Sequence, residues 1–424
     1  MSRLHLFLVV SILLPTACGA RSRLDDLQPA NVDGTISSGG IVATGGARAT
    51  GGGPNTGGSQ SIGGTTSTGA ATVTSDIVPT ITVGEYHACA LVNGGVKCWG
   101  FDEYGQLGND STTDSPVPVQ VKGLTSGVAA IDAGALHTCA LFSGGAKCWG
   151  INTSGQLGDG STVTSLVPVD VQGMKSGVSA IDAGGGHTCA LVNGGAWCWG
   201  FNLYGQLGNN STADSLVPVS VQGLDSGVSS IDSGTYHSCA SSNGRARCWG
   251  YNDLGQLGNH SATRSPVPVQ VQDLTSGVTS IDAATLHSCA VVNGSAKCWG
   301  YNALGRLGDN STTISSVPVQ VQGVISGATI IAAGYYHSCV LVNGGVECWG
   351  SNSRGQLGNN STTDSLVPVP VQGLTSGVSV VACGYESSCA VQNGTILCWG
   401  DNLYGQLGNS SATLSTVPVR VKLQ

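Results

Sequence analysis

The chain has 424 residues, of which 66 are glycine, 9% are charged and 5% are aromatic. Few charges and abundant glycine, valine, serine and threonine favour short strands and turns over helices. The formal net charge is −8 and the 16 lysines and arginines form no cluster, so the chain lacks the basic stripe that neutralises nucleic-acid phosphates. The composition indicates an all-β protein with no nucleic-acid partner.

Residues 1–18 resemble an export signal that ends at a lipoprotein-like cleavage box. Arg3 precedes the apolar run LFLVVSILL, which is too short to anchor a protein stably across a bilayer. The next residues, LPTAC, end at Cys18, the position that is lipidated in bacterial lipoproteins. We expect a lipid anchor at Cys18 and a place in the bacterial cell envelope, at the outer membrane or the cell surface. Ordinary cleavage near Ala20, which would leave a secreted protein, is the alternative.

Residues 19–75 are rich in glycine, serine and threonine and show no apolar periodicity. Such a segment cannot bury a core. A flexible chain of this length has an end-to-end distance of about 40 Å. We interpret it as a tether between the anchor and a folded head at residues 76–424.

A sequence frame recurs seven times in the head. HACALVNGGVKCWG at residues 87–100 returns every 50 residues without insertion or deletion. One repeat contains four strand candidates, VPVQV, GVAAIDAG, HTCALF and AKCWG, separated by turn residues. Four strands in each of seven repeats predict a seven-bladed β-propeller, in which neighbouring blades bury each other's faces. We expect the head to be monomeric.

The two ends of the head suggest how the ring closes. No VPVxV segment precedes the first copy, whereas the chain ends on a surplus VPVRV. If a blade begins at this strand, residues 417–421 must pair beside Ile81 and Val83. That pairing would join the last blade to the first and hide both sheet edges.

The two cysteines of each repeat flank a turn. With Asn93 and Gly94 at the centre of a type I′ turn, Cys89 faces Cys98 at a non-hydrogen-bonded pair, where side chains approach most closely. An exported chain enters an oxidising compartment, so this register predicts one disulfide in each hairpin. The predicted pairs are Cys89–Cys98, Cys139–Cys148, Cys189–Cys198, Cys239–Cys248, Cys289–Cys298, Cys339–Cys348 and Cys389–Cys398.

The cysteine spacing does not suit a metal. A zinc site needs close pairs such as C-x2-C, whereas a flat hairpin with a nine-residue spacing offers one pair and no second. We therefore predict no metal and no cofactor. Cys383 occupies the position of Ala133 and Ala183 in other copies, and we interpret it as a buried small residue. A reactive free thiol is the alternative.

The frame H-x-C-A-L, followed by G-x-x-C-W-G-x-N-x-x-G-Q-L-G, resembles the regulator of chromosome condensation repeat. It is most similar to the cysteine-bearing form of exported bacterial proteins. The resemblance covers residues 78–424 and implies a seven-bladed propeller, in agreement with the seven copies. Arg306, Ser351 and Ser387 depart from the frame. The family's functions include nucleotide exchange on a small GTPase, ultraviolet sensing and inhibition of secreted enzymes, so the fold alone does not select one.

Histidine and aspartate also recur with the repeat, and we interpret both as structural. Six copies carry a histidine two residues before the first cysteine, which we expect to satisfy a tight turn. One aspartate per blade does not supply the clustered oxygen ligands of a calcium loop. No GxSxG or comparable nucleophile frame is present, so we predict no catalytic residue and no enzymatic activity. These residues are His87, His137, His187, His237, His287 and His337, and Asp132, Asp182, Asp232 and Asp282.

All ten tyrosines fall at positions equivalent to 85–86 or 101–104. The hairpin register places Tyr86 opposite Phe101 at the open end of the hairpin. Tyrosine combines apolar area with a polar tip and is enriched at recognition surfaces. Tyr104, Tyr204 and Tyr404 share one slot, and we expect them to pack between blades. The candidate binding rim comprises Tyr86, Phe101, Phe201, Tyr236, Tyr251, Tyr301, Tyr335, Tyr336 and Tyr385.

The leading functional hypothesis is an exported, lipid-anchored propeller that binds a protein or a glycan through one rim. The alternative is a structural component of the cell surface without a discrete ligand. Exposed and clustered tyrosine rings would favour the first hypothesis. Rings buried between blades would favour the second.

Overall fold

Residues 79–423 are described by a computed structural model and form seven four-stranded antiparallel sheets. The sheets are the blades of a ring, since each packs on the next and the seventh packs on the first. The predicted seven-bladed β-propeller is confirmed. The export signal, Cys18 and the tether lie outside the described residues. None of the helices in residues 79–423 has the length and apolar character needed to cross a membrane.

The strands of blades 1 to 4 follow chain order. Blade 1 contains β1 (Thr80–Val83), β2 (His87–Val92), β3 (Gly95–Gly100) and β4 (Ser115–Gln120). Blade 2 contains β5 (Val128–Ala133), β6 (His137–Phe142), β7 (Gly145–Gly150) and β8 (Ser165–Asp170). Blade 3 contains β9 (Val178–Ala183), β10 (His187–Val192), β11 (Gly195–Gly200) and β12 (Ser215–Ser220). Blade 4 contains β13 (Val228–Ser233), β14 (His237–Ser242), β15 (Arg245–Gly250) and β16 (Ser265–Gln270).

Blades 5 to 7 repeat the same order. Blade 5 contains β17 (Val278–Ala283), β18 (His287–Val292), β19 (Ser295–Gly300) and β20 (Ser315–Gln320), with a short 3₁₀ helix at Ala303–Gly305. Blade 6 contains β21 (Ala328–Ala333), β22 (His337–Val342), β23 (Gly345–Gly350) and β24 (Ser365–Pro370). Blade 7 contains β25 (Val378–Cys383), β26 (Ser387–Gln392), β27 (Thr395–Gly400) and β28 (Ser415–Arg420).

The VPVxV segment is the last strand of its blade, not the first. It pairs with the CWG strand of its own repeat, as Lys97 opposite Gln120 shows. The prediction that residues 417–421 pair beside Ile81 and Val83 is therefore wrong: β28 pairs with β27, and β1 pairs with β2. The physical reason is the seven-residue link that joins each of the first six VPVxV strands to the next blade. In this link Gly123 and Gly127 both adopt a φ of 77°, which glycine tolerates, and the chain passes on to the next blade.

Side-chain packing and loop contacts close the ring. Ile81 and Trp99 of blade 1 share a buried cluster with Leu407 and Val421 of blade 7. The indole N–H of Trp99 donates to the carbonyl of Gln406 at 2.9 Å, and the same bond joins Trp149 to Gln106 at the first junction. The seam between blades 7 and 1 therefore repeats the buried cluster and the tryptophan bond of the other junctions.

All seven predicted disulfides are present in the structure. Cys89 lies opposite Cys98 with a Cα–Cα distance of 4.0 Å, the close approach expected of a non-hydrogen-bonded pair. Asn93 and Gly94 have φ values of 51° and 76°, as a type I′ turn requires. Seven regular disulfides indicate that the head folds in an oxidising environment.

The repeated histidines are structural, but they bond across a blade junction and not within the turn. Nε2 of His87 lies 2.9 Å from the hydroxyl of Thr138 in blade 2, and that hydroxyl donates to the carbonyl of Gln106 at 2.8 Å. The imidazole N–H must therefore be the donor to the hydroxyl. Burial lowers the pKa of His87 to about 3, so the ring is neutral at physiological pH. The same bond joins His137, His187, His237, His287 and His337 to the next blade.

Candidate binding face

Every tyrosine of the chain lies at one end of the ring. Here the turns between the first and second strands of each blade meet the loops between the third and fourth strands. With Phe101 and Phe201, twelve rings gather at this end, which we call the tyrosine face. The Asn-Gly hairpins lie at the opposite end. The twelve residues are Tyr86, Phe101, Tyr104, Phe201, Tyr204, Tyr236, Tyr251, Tyr301, Tyr335, Tyr336, Tyr385 and Tyr404.

A first group of seven rings spans blades 6, 7 and 1. Tyr86 is its centre, with ring centroids 5.3 Å from Tyr385, 5.4 Å from Tyr404 and 6.2 Å from Phe101. The backbone N–H of Phe101 donates to the carbonyl of Tyr86 at 3.0 Å, so these residues face each other as the register predicts. The group extends to Tyr104, Tyr335 and Tyr336 through centroid distances of 4.5–6.3 Å.

A second group joins blades 3 and 4. Tyr204 has centroid distances of 5.4 Å to Tyr236, 5.1 Å to Tyr251 and 6.0 Å to Phe201. The Arg264 guanidinium stands over the rings of Tyr204 and Tyr251 at 4.8 and 4.9 Å and pairs with Asp253. The ion pair with Asp253 and the stacking on two rings together satisfy the charge of this arginine.

Arg306, the departure in copy five, connects Tyr301 to the first group. Its guanidinium lies 4.7 Å from the ring centroid of Tyr301 and 5.5 Å from that of Tyr336. It also donates to the carbonyls of Ala303 at 3.0 Å and Tyr335 at 3.2 Å. Burial lowers the pKa of Arg306 to about 10, which leaves the side chain charged at neutral pH.

The predicted rim residues all lie on this one face, and their rings are mostly half-buried. Tyr236 is 37% exposed. Tyr404 and Tyr204 pack against rings of the following blade, as predicted, whereas Tyr104 contacts the ring of Phe101 in its own loop. All three belong to the same two groups. The face therefore combines clustered rings with partial burial between blades.

The turns of all seven blades surround the mouth of the central channel, a cavity of about 260 Å³. Tyr236, Tyr335 and Tyr385 line it together with Glu85. Burial raises the pKa of Glu85 to about 7, against a smaller lowering by the hydrogen bond with Tyr86. Burial also raises the pKa of Glu386. The mouth is therefore aromatic with acidic groups between the rings.

The repeated aspartates stand on the inner strands and hold neighbouring blades together. Asp132 accepts from the Thr82 hydroxyl at 2.7 Å and from the N–H of Ala183 at 2.7 Å. Asp182 accepts from the N–H of Ser233 at 2.6 Å. Burial, together with repulsion from Asp232, raises the pKa of Asp182 well above its usual value. These contacts agree with the structural interpretation of the aspartates.

The free thiol of Cys383 lies beside a disulfide. Ligand atoms of His337, Cys339 and Cys383 lie within 4.8 Å of one another, which among the described residues is the one group of this kind with metal-ligating atoms so close. Cys339 is bonded to Cys348, so this group offers no thiolate there. Burial raises the pKa of the Cys383 thiol far above its usual value. The side chain is half-buried and lines the channel cavity, so the predicted full burial of Cys383 is not found. The raised pKa keeps the thiol protonated and therefore a poor nucleophile.

Asp102 is not among the residues predicted from the sequence, and it is fully buried in the loop of blade 1. The other six copies carry asparagine at this position. Burial raises the pKa of Asp102 to about 7. Aligning the seven copies of W-G-x-N would have shown this departure.

Sequence comparison assigns the repeats to a known family. The model of the regulator of chromosome condensation (RCC1) repeat matches residues 93–141, 144–191, 193–241, 243–291, 293–341 and 343–391. A second model of the repeat matches five segments between residues 128 and 406. No curated protein matches the sequence.

Two solved structures illustrate the likeness in fold. Human WBSCR16 is 21% identical with a TM-score of 0.63, covering 72% of this chain and 84% of that chain. Yeast RCC1 (Prp20), solved bound to Kap60, is 21% identical with a TM-score of 0.69, covering 78% of this chain and 84% of that chain. Since the repeat model matches more than half of the sequence, the chain belongs to the regulator of chromosome condensation (RCC1) repeat family.

Proposed function

We propose that this chain is an exported, lipid-anchored binding module that recognises a protein partner through the tyrosine face, without catalysis. The observation that carries the proposal is the collection of twelve rings around one mouth of the channel. Half-buried tyrosines offer apolar area at a low entropic cost and keep a polar tip for hydrogen bonds. Rings that served only to pack neighbouring blades together could lie at either end of a blade junction. These twelve rings all lie at the same end of the propeller.

Charge favours a protein with basic side chains as the partner. Glu85 lines the mouth of the channel beside Tyr86, Glu386 and Asp401 share Arg354 as an ion-pair partner, and the chain carries a net charge of −8. A lysine or arginine of a partner would meet both aromatic faces and carboxylates there. Protein binding also occurs in this family, since the yeast structures describe Prp20 bound to Kap60 and its binding to Gsp1p and histones.

The binding proposal is tested by capture from envelope extracts on the immobilised full chain. We expect a partner whose affinity falls at least about tenfold on Tyr86→Ala together with Tyr385→Ala. Trp197→Ala is the matched control, because Trp197 is 36% exposed and lies three residues after Gly194 of the hairpin at the opposite end. Captured material that resists protease would identify a glycan ligand. Equal capture by the double variant would contradict a role for the face.

The anchoring part of the proposal is tested by Cys18→Ser. We expect the variant head in the soluble fraction or as an unprocessed precursor. Cys383→Ser, which removes the other unpaired cysteine, is the control and should fractionate with the membrane as the wild type does. Normal membrane retention of the Cys18 variant would contradict lipidation.

A further inference from the structure

The loop between β3 and β4 differs from its six equivalents at one buried position. Asp102 replaces the asparagine of the other loops and is fully buried. Its Oδ1 accepts the N–H of Leu107 at 2.9 Å, as Oδ1 of Asn202 accepts the N–H of Leu207 at 2.9 Å. Because this bond fixes one oxygen, Oδ2 of Asp102 occupies the place of the amide nitrogen.

In the other six loops that amide nitrogen holds the loop together as a donor. It donates to the side-chain oxygen of the residue seven positions later at 3.1–3.4 Å. It also donates to the carbonyl of the serine nine positions later at 2.9–3.1 Å. In blades 2, 3, 4, 6 and 7 a third acceptor is the carbonyl eleven positions later, at 2.9–3.2 Å.

The loop of blade 1 keeps the same backbone. The N–H of Asp102 donates to Asp114 at 2.8 Å, as that of Asn202 does to Asp214 at 2.8 Å. The N–H of Thr113 donates to the Ser111 hydroxyl at 3.0 Å, the distance also found between Ala213 and Ser211. The acceptors that face the asparagine elsewhere are therefore Asn109 Oδ1 and the carbonyls of Ser111 and Thr113.

No hydrogen bond joins these oxygens in the structure. A carboxylate accepts and does not donate, and Oδ2 of Asp102 and Oδ1 of Asn109 are both buried without a hydrogen-bond partner. By equivalence with the asparagine loops, such as that of Asn202, we infer that these two unpartnered oxygens and two main-chain carbonyls converge on one place. Such an arrangement calls for a positive charge at its centre.

We propose that the loop at residues 101–114 binds a calcium ion through Asp102 Oδ2, Asn109 Oδ1 and the carbonyls of Ser111 and Thr113. Ca²⁺ takes carboxylate, amide and carbonyl oxygens at about 2.3–2.6 Å, so neighbouring ligand oxygens lie roughly 3–3.5 Å apart. The donor–acceptor distances of 2.9–3.4 Å in the other loops match this spacing. Mg²⁺ requires shorter bonds in a stricter octahedron, and zinc prefers nitrogen and sulfur.

The geometry of the site is independent of the proposed function, whereas the expected supply of calcium rests on the export that the proposed function includes. The ion would brace a loop of the tyrosine face. Phe101 and Tyr104 belong to the same loop and contact each other at 6.3 Å. Calcium-binding modules outside cells have dissociation constants of about 10⁻⁴–10⁻³ M. An exported head would meet calcium in that range.

The test is thermal unfolding of the full chain at pH 7.5 in EDTA and in CaCl₂ up to about 10 mM. We expect calcium to raise the Tm of the wild type by about 2–4 °C. Asp102→Asn should not respond to calcium, and its Tm in EDTA should equal or exceed that of the wild type, because it restores the amide of the other six loops. Asp110→Asn, an exposed residue paired with Lys122, is the control and should keep the calcium response.

A converse variant and a direct probe complete the test. Asn202→Asp should lower the Tm in EDTA and gain a calcium response, since it places a carboxylate against the same acceptors in blade 3. Tb³⁺ luminescence should report one site per wild-type chain and none in Asp102→Asn. Equal wild-type Tm in EDTA and calcium would show that a proton and not an ion satisfies Asp102, and would overturn the proposal. So would a calcium response that persists in Asp102→Asn.

Discussion

At the scale of single residues, the seam between blades 7 and 1 lacks two partners at once. The histidine of the other blades is Ser387 in blade 7, and the hydroxyl that it would contact is replaced by Ala88 in blade 1. The carbonyl of Gln406 and the indole of Trp99 remain in place. A histidine without a hydroxyl partner would leave a buried N–H unsatisfied, so the two departures compensate each other.

This compensation predicts a coupling between the two positions. Ser387→His alone should lower the free energy of unfolding by about 1–3 kcal/mol, because its Nε2–H is buried without an acceptor. Adding Ala88→Ser should recover at least about 1 kcal/mol, since the serine hydroxyl can accept from the imidazole and donate to Gln406. Urea unfolding of the four proteins in the double-mutant cycle measures the coupling. Additive effects would show that the histidine bond does not stabilise a junction.

At the scale of elements, the hairpin is the most independent unit of the blade. Its register follows from the turn residues, and its disulfide joins strands that are already paired. Closing a loop of this size stabilises the chain by at most about 2.5 kcal/mol in entropic terms, and less where the hairpin is partly formed in the unfolded state.

Peptide mapping of the unreduced protein should therefore give only cysteine links that are nine residues apart. Cys383 is half-buried and lines the channel cavity, but its raised pKa keeps the thiol protonated, so we expect a thiol reagent to label it far more slowly in the native protein than after unfolding. Urea-unfolded protein provides the positive control for labelling. A link between two blades, or rapid labelling of Cys383 in the native protein, would disagree with the structure.

The sequence predicted the strands and hairpins better than it predicted which strands pair across a blade. Cys89 and Cys98 could be paired because a two-residue turn fixes the register of everything along the hairpin. The prediction for the VPVxV strand was wrong for two reasons. Its period-two pattern is the same whichever neighbouring strand it pairs with. The link at residues 121–127 is also shorter than the loop at 101–114, which favours pairing with the strand that follows. Tyr86 could be placed opposite Phe101 for the same reason as the cysteines.

The grouping of the rings could not be read from the sequence. Tyr86 contacts Tyr385 and Tyr404 because the ring closes, and Arg264 stacks on Tyr204 because two loops of different blades meet. These contacts depend on side-chain packing between blades, for which local patterns carry no information. The replacement of asparagine by Asp102 is visible in the sequence. Its consequence could not be predicted, because it depends on the acceptor atoms that the equivalent asparagines contact in the structure.

The complete ring has seven blade junctions of similar construction, and a covalent link of seven residues joins the blades at six of them. Blades are joined by seven-residue links such as residues 121–127, whereas blades 7 and 1 meet only through packing and loop contacts such as the bond from Ser410 to Pro116 at 3.0 Å. Each junction has its own buried cluster with a tryptophan of the following blade.

This equivalence predicts that the break in the chain can be moved. A permuted head would begin at Val128 and join Gln424 to Val78 through Thr-Ser-Gly, which places seven residues between Arg420 and Val78, the sequence equivalent of Val128. We expect it to fold with all seven disulfides and to have a Tm close to that of the original head, because six junctions are linked and one is open in both proteins. The comparison needs disulfide mapping and thermal unfolding of both heads. An insoluble or unstable permutant would show that the natural seam is special.

Because each sheet begins and ends within one 50-residue stretch of chain, the unit of structure coincides with a unit that recombination can copy. An in-frame duplication or deletion of one repeat in the gene adds or removes an entire sheet, with its disulfide and its link, and leaves no strand orphaned. A propeller in which the last strand completes the first blade would not have this property at its ends. Loops on the tyrosine face can therefore diverge copy by copy, as Asp102 and Arg306 have done, while the copying unit itself remains intact.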